Sequence, residues 1–272
     1  MITLRNQQEI ARITRAAKAV SEVHLAISSA IRPGVSTKYL ENIAIKIMTQ
    51  LGVASAYLGT KGFPKAVYFD TNNAVCHTIT ADEILKDGDI VKIGVGVVKD
   101  GYHADKTDTY AVGHISQNAV RLIEVTNKAM QLAISECRSG NRLSNVSHII
   151  QTTAESAGYS VVRSFVGHGI GIKHHEEPEI PNFGTPNRGP RIEVGMVLKP
   201  HIFINAGKYD VEVKDDGWSV VTKDGSLSAC NAETIAILDS GPEVLTGPIH
   251  GFNNYIKSLK TNPNDDEVHY ED

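Results

Sequence analysis

An α+β fold is predicted for this 272-residue chain: two similar halves sharing one curved antiparallel sheet, with helices on its outer face. Two observations carry it. Helical periodicity comes early in each half and strand-like segments come late. Residues 32–52 (RPGVSTKYLENIAIKIMTQLG) also match residues 138–158 (RSGNRLSNVSHIIQTTAESAG) without a gap at Arg, Gly, Leu/Val, Ile and a closing Gly, as an internal duplication would. The halves fall at about 1–115 and 116–252, forming a single domain over 1–252. A polar, acidic tail follows at 253–272, ending NPNDDEVHYED.

The elements follow in order. From Asn6 to Ile31 the apolar residues Ile10, Ile13, Ala17, Val20, Leu25 and Ile31 recur at near-helical spacing until Pro33-Gly34 stops the run. A second helix starts at Ser36 and Thr37, both good N-caps, and ends at Gly52. SAYLG, AVYFDT and NAVCHTI then read as strands. IVKIGVGVVKDGYHADKTDTYAVG reads as a hairpin turning at Lys99-Asp100-Gly101. Two helices return at roughly Gln117 to Cys137 and Leu143 to Gly158. The second half continues with the strand YSVVRSFVG, glycine-rich GHGIG, a loop containing HHEEPEIPNFGTPNRGP and the strand GMVLKPHIFINAG. It closes with a hairpin turning at Lys223-Asp224-Gly225 into SLSACNAETIAILDSG.

Composition narrows the function classes. With 41% hydrophobic and 21% charged residues and a net charge of −4, nothing favours nucleic acid or an anionic membrane as partner, so a small or peptide-sized ligand is expected. The three cysteines, Cys76, Cys137 and Cys230, form no CxxC pair, which argues against a disulfide framework or a zinc knuckle and for the cytoplasm. The amphipathic, charged start is unlike an export signal. No apolar run reaches the roughly 18 residues of a membrane span.

One stretch raises a question of its own. Glycine weakens a strand, yet Gly94 and Gly96 lie on a single face of a Val- and Ile-rich strand, across the turn from Asp105. Ligand-type residues gather at Asp105, at His168 between Gly167 and Gly169, and at His201 after Pro200, and imidazole with carboxylate suits a first-row divalent metal.

The order of GDIVKIGVGVVKDGYHAD, FVGHGIGIKHHEEPEIPNFG, GMVLKPHIFINAGK and DGWSVVTKDGSLSACNAETIAI resembles the type I methionine aminopeptidases, M24 metallopeptidases with the pita-bread fold, over about residues 3–245. The resemblance implies a dinuclear metal site of two Asp, one His and two Glu. Asp105 and His168 match. Gly94, His201 and Ala232 stand where the first Asp, the first Glu and the bridging Glu are expected. His77 and His175 match substrate-positioning histidines, and Trp218 matches a tryptophan near the pocket. Gly96 stands for a threonine, Tyr57 and Tyr68 for two cysteines of the methionine pocket, Thr60 for a tyrosine and His174 for a phenylalanine. Phe63 joins this substrate-binding set. Strand alternation points Glu233 away from the Ala232 face, and a bulge at Asn231 is the alternative that would return a carboxylate to the site.

One carboxylate in place of four leaves two dications roughly 3.5–4 Å apart uncompensated. Asp105, His168 and His201 are therefore expected to hold one divalent ion as a 2-His-1-carboxylate triad, Fe(II) first, with Mn, Co or Zn as alternatives. On this reading O2 or substrate fills the space at 94, 96 and 232, while His77, His174 and His175 act on a small amino-acid-like or short peptide substrate in an oxidative reaction. Two alternatives stand beside it: a methionine aminopeptidase with an altered metal site, and a catalytically inactive pita-bread binding protein.

Overall fold

The structure, a computed structural model, describes residues 1–79 and 82–247, so the expected tail at 253–272 lies outside the described residues. The helices start where local chemistry permits. In α1 (Gln7–Ser28) the Asn6 side chain accepts from the Glu9 N–H and the Glu9 carboxylate accepts from the Asn6 N–H, a reciprocal cap. In α2 (Thr37–Leu51) Ser36 Oγ accepts from the Tyr39 N–H at 3.1 Å, and Gly52 ends the helix in the left-handed region at φ 61°. α3 (Gln117–Glu136) is capped by Ser116, whose side chain accepts from the Ala119 N–H, whereas α4 (Leu143–Ser156) starts at Arg142 without a side-chain cap. Leu25, in phase with the apolar stripe, is instead 47% exposed on the outer side of α1.

Fifteen strands follow among the described residues, and they form three hydrogen-bonded sheets rather than the expected one. The seven-stranded sheet contains β1 (Ala54–Ser55), β2 (Tyr68–Thr71), β4 (Ile90–Lys99), β5 (Tyr102–Ala111), β6 (Ser160–Val161), β10 (His201–Asn205) and β13 (Ser228–Ala232). Its order is β1-β4-β5-β13-β10-β6, with β2 also on β4. A three-stranded sheet pairs β11 (Val211–Val213), β12 (Val220–Thr222) and β3 (Ala74–Cys76). A five-stranded sheet runs β15 (Gly241–Val244), β14 (Ile235–Leu238), β9 (Val197–Lys199), β7 (Val166–Gly169), β8 (Glu176–Pro181).

The differences from expectation have local causes. Pro200 cannot donate to a ladder, and the segment expected as one strand over 195–207 changes sheets there, from β9 to β10. The chain switches again at Glu233-Thr234, between β13 and β14. The turn at Lys223-Asp224-Gly225 closes no hairpin: β12 pairs with β11 and β3, whereas β13 pairs with β10 and β5. Part of the HHEEPEIP segment, expected as loop, is β8.

The central order is symmetric about the β5–β13 junction. A short edge strand, β1 or β6, follows the second helix of each pair; α1 lies on β4 and β5 with α2 against α1 and β1, as α3 lies on β10 and β13 with α4 against α3 and β6. Alternation in β4 sends Val91, Ile93, Val95 and Val97 into the helix-side core with Ile13, Val20 and Leu40. Gly94 and Gly96 therefore face the other side, opposite Thr107 and Asp105 of β5. That concave side holds the candidate site.

Candidate active site

Asp105, His168, His201, His77, His174 and His175 converge on one cavity with Tyr57, Tyr68, Lys199 and Phe203. Its free space is about 80 Å³, room for a few waters. The Asp105 side chain is fully buried, with a polar contact at each oxygen. Oδ2 accepts from the Tyr57 hydroxyl at 2.7 Å and from His174 Nε2 at 2.6 Å, while the Lys199 ammonium lies 2.8 Å from Oδ1. This last contact is an ion pair without hydrogen-bond alignment, since Oδ1 has no hydrogen-bond partner. The same ammonium lies 3.4 Å from His201 Nδ1.

Tautomers follow from these partners. His168 Nδ1 lies 2.9 Å from the Gly169 carbonyl oxygen, which only accepts, so Nδ1 carries the proton and Nε2 the lone pair. An ammonium only donates, so His201 Nδ1 accepts and the ring proton sits on Nε2. Both Nε2 atoms are buried without a partner. Burial, and after it the Lys199 charge, pushes His168 and His201 well below the ordinary imidazole range, so both are neutral. Burial, then His174 and Lys199, lowers His175 to about 3. For Asp105, burial alone would raise the carboxyl. Lys199 and His174 together hold it well below the usual carboxylate range.

The glycines are explained by tyrosines. A Cβ on Gly94 would sit 1.9 Å from Tyr68 Cζ, and one on Gly96 would sit 3.0 Å from Tyr57 Cζ. The space at 94 and 96 is thus filled by two rings whose centroids lie 5.3 Å apart, and it is not open to O2 or substrate. Tyr68 is further fixed by a 2.7 Å hydroxyl contact to Thr107 Oγ1. Ala232, buried opposite His201 in the ladder, opens no space either.

Other expected residues scatter. Thr60 is exposed, its hydroxyl bonded to the Ala56 carbonyl at 2.8 Å, and it does not line the cavity. Phe63 and Trp218 pack on each other at 5.2 Å in an apolar cluster with Tyr57 and Tyr68, beside the cavity. The β10–β13 ladder runs without a bulge, and Glu233 is buried away from the site, paired with Lys106 and accepting from Thr246. Lys199 was missed. Its signal is a lysine within the apolar run VLKPHIFIN, two positions before His201 and so on the same side of an extended chain.

A larger cavity of about 660 Å³ adjoins this one, sharing Val166, His168 and His175, with Glu176, Glu177 and Glu179 on its walls. Arg5 neutralises Glu176 at 2.6 Å.

Paired helix layers over a pseudo-symmetric sheet, with an Asp- and His-lined cavity on its concave side, define the pita-bread metallopeptidases. The model of metallopeptidase family M24 matches residues 11–225, and the chain belongs to that family. Methionine aminopeptidases are among the proteins this chain resembles. The Clostridium perfringens methionine aminopeptidase is 45% identical over 90% of this chain and 99% of its own length. Bacillus subtilis methionine aminopeptidase 1 is 40% identical over the same shares. The crystal structure of Thermotoga maritima methionine aminopeptidase superposes with a TM-score of 0.89 at 37% identity, over 91% of this chain and all of that one.

These relatives overturn the oxidative expectation: they are named peptidases, and an oxidoreductase with a non-haem iron triad has no support among them. O2 falls with it as a partner. Family membership implies a divalent metal cofactor, and the residues here do not fit one. The Asp105 carboxylate is already engaged by Lys199, Tyr57 and His174, and His201 presents an N–H rather than a lone pair. A dication brought within about 4 Å of that ammonium meets a repulsion on the order of 8 kcal/mol at an effective dielectric of about 20. Among the described residues no group of three or more His, Cys, Asp or Glu is placed to hold an ion. No helix among them is long and apolar enough to cross a membrane.

Proposed function

We propose that this chain is a methionine aminopeptidase-type protein with an altered site, acting on peptides with a free amino terminus beginning in methionine. The observation that carries this is 45% identity over nearly the full length of a protein named methionine aminopeptidase. The site supports the same ligand class. His168 Nε2 is a buried acceptor with no partner, at the join of a small cavity and a large one walled by Glu177 and Glu179, and both features suit an amino group. His201 Nε2–H is the complementary donor, suited to the carbonyl that follows. The three cysteines are free and buried, in keeping with a cytoplasmic place of action.

The hydrolytic step is attenuated. A metal contributes several kcal/mol of transition-state stabilisation to hydrolysis, so without a free carboxylate to hold one the rate falls by at least about a thousandfold. The test is parallel assay of this chain and the C. perfringens relative on Met-Ala-Ser, with Fe(II), Mn(II), Co(II) and Zn(II) in turn, alongside calorimetric binding. Binding of Met-Ala-Ser, loss of binding on N-acetylation and turnover at least about a thousandfold below the relative are expected. Turnover matching the relative would refute the attenuation. Equal binding of the acetylated peptide would refute the ligand class.

A further inference from the structure

We propose that Lys199 is the resident cation of the Asp105 cavity: its ammonium supplies the charge that balances the carboxylate, and the wild-type chain holds no divalent ion there. Three observations meet on this one atom. It lies 2.8 Å from Asp105 Oδ1 and 3.4 Å from His201 Nδ1, and both it and Asp105 are shut from solvent, at 2% and 0% exposure. The other carboxylate oxygen is taken by Tyr57 and His174, so each oxygen of Asp105 already faces a donor or a cation. Backbone placement is forced by the switch at Pro200: Lys199 ends β9, His201 begins β10, and both side chains enter the cavity from the seam between two sheets.

A buried lysine without a counter-charge is costly, and a buried aspartate without a cation equally so. Each here offsets part of the penalty of the other. The cation is therefore part of the covalent chain, and the cavity is complete in charge without a cofactor. This goes beyond the peptide reading and does not depend on it.

Two measurements test it. The wild-type protein is dialysed against chelator, offered Mn(II), Co(II), Zn(II) or, anaerobically, Fe(II), passed through gel filtration and assayed for metal by mass spectrometry. Well under one equivalent is expected, with the thermal midpoint unmoved by metal or chelator. One or more equivalents held by wild type and lost in Asp105→Asn would overturn the proposal. The second measurement is a urea double-mutant cycle of Lys199→Met and Asp105→Asn. The double variant is expected to recover about tenfold or more in the folding equilibrium relative to the sum of the single losses. Strictly additive losses would overturn the proposal. Should Lys199→Met fail to fold, the metal measurement on wild type still decides. Metal content is read without peptide, so a protein that loads metal and cleaves Met-Ala-Ser as fast as the relative refutes this inference and the attenuation while leaving the ligand class standing, and one that binds neither metal nor peptide refutes only the ligand class.

Discussion

His24 shows how a single buried group sets the response of this molecule to acid. It lies on the helix side of the sheet, fully buried, with Nε2 3.1 Å from the Ile93 carbonyl oxygen and Nδ1 3.2 Å from the Tyr110 hydroxyl. The carbonyl requires the proton on Nε2, so in the neutral ring Nδ1 accepts from the tyrosine, and a second proton would place an uncompensated charge in the core. Burial, and then the nearby Lys106 ammonium, lowers this histidine to about 3. An unfolded imidazole titrates near 6.5, so between about pH 6.5 and 3 the unfolded chain binds a proton that the folded chain refuses. Its contribution is fully present above 6.5 and is lost as pH falls through that window, up to an order of about 5 kcal/mol. His24→Gln, which keeps a donor for Ile93, should flatten the fall in urea-unfolding free energy between pH 6.5 and 4.5. An unchanged slope would assign the acid loss to the cavity histidines instead. At this scale the site was legible where ligand-type residues stand out: Asp105 against a glycine-bearing strand, His168 between glycines, His201 after a proline. Lys199 was not, because lysine in a strand ordinarily marks an exposed or edge position, and only its pairing with Asp105, 94 residues away in the chain, makes burial tolerable.

At the level of elements, helix ends were readable because their determinants are local: Asn6 with Glu9, Ser36 with Tyr39, Gly52 beyond α2. The β4–β5 hairpin was readable for the same reason, since Asp100 and Gly101 carry the positive φ values, 52° and 77°, that a two-residue turn requires. Sheet membership was not readable. Val197 to Lys199 and His201 to Asn205 look alike as sequence, yet their partners, β14 and β7 on one side and β13 and β6 on the other, are chosen by long-range pairing. The match of Gly94 to Tyr68 across the β2–β4 ladder is of this kind too. It makes a graded prediction. Gly94→Ala places a methyl within 1.9 Å of a buried, hydrogen-bonded ring and should cost about 2–3 kcal/mol by urea unfolding, whereas Gly96→Ala, at 3.0 Å from Tyr57 Cζ, should cost about 1. Tyr68→Ala combined with Gly94→Ala should lose less than the sum of the two single changes, because the smaller side chain removes the overlap. Equal costs at 94 and 96 would mean that Tyr68 swings aside freely.

For the molecule as a whole, the shared sheet argues for one cooperative unit. β5 of the first half and β13 of the second are neighbours, joined at Thr107 and Ala232, and Thr109 Oγ1 both donates to the Cys230 carbonyl and accepts its N–H, each at 2.8 Å. On the helix side Lys106 of β5 pairs with Asp108 at 3.0 Å and with Glu233, just after β13, so a buried cation from one half is neutralised partly by the other. Separated halves would each leave part of that charge set uncompensated and a long sheet edge open. Trp218, the single tryptophan, packs on Phe63 of the first half and so reports on the contact between halves. Its fluorescence and the far-ultraviolet circular dichroism should therefore follow one urea transition with the same midpoint and slope. A fluorescence change that precedes the loss of secondary structure would show the halves parting while each stays folded. The single-domain reading would then give way to two weakly coupled units. Glu233→Gln sharpens the comparison: it removes the charge at the junction and should lower the common midpoint, by about 1–3 kcal/mol in stability, without splitting the transition.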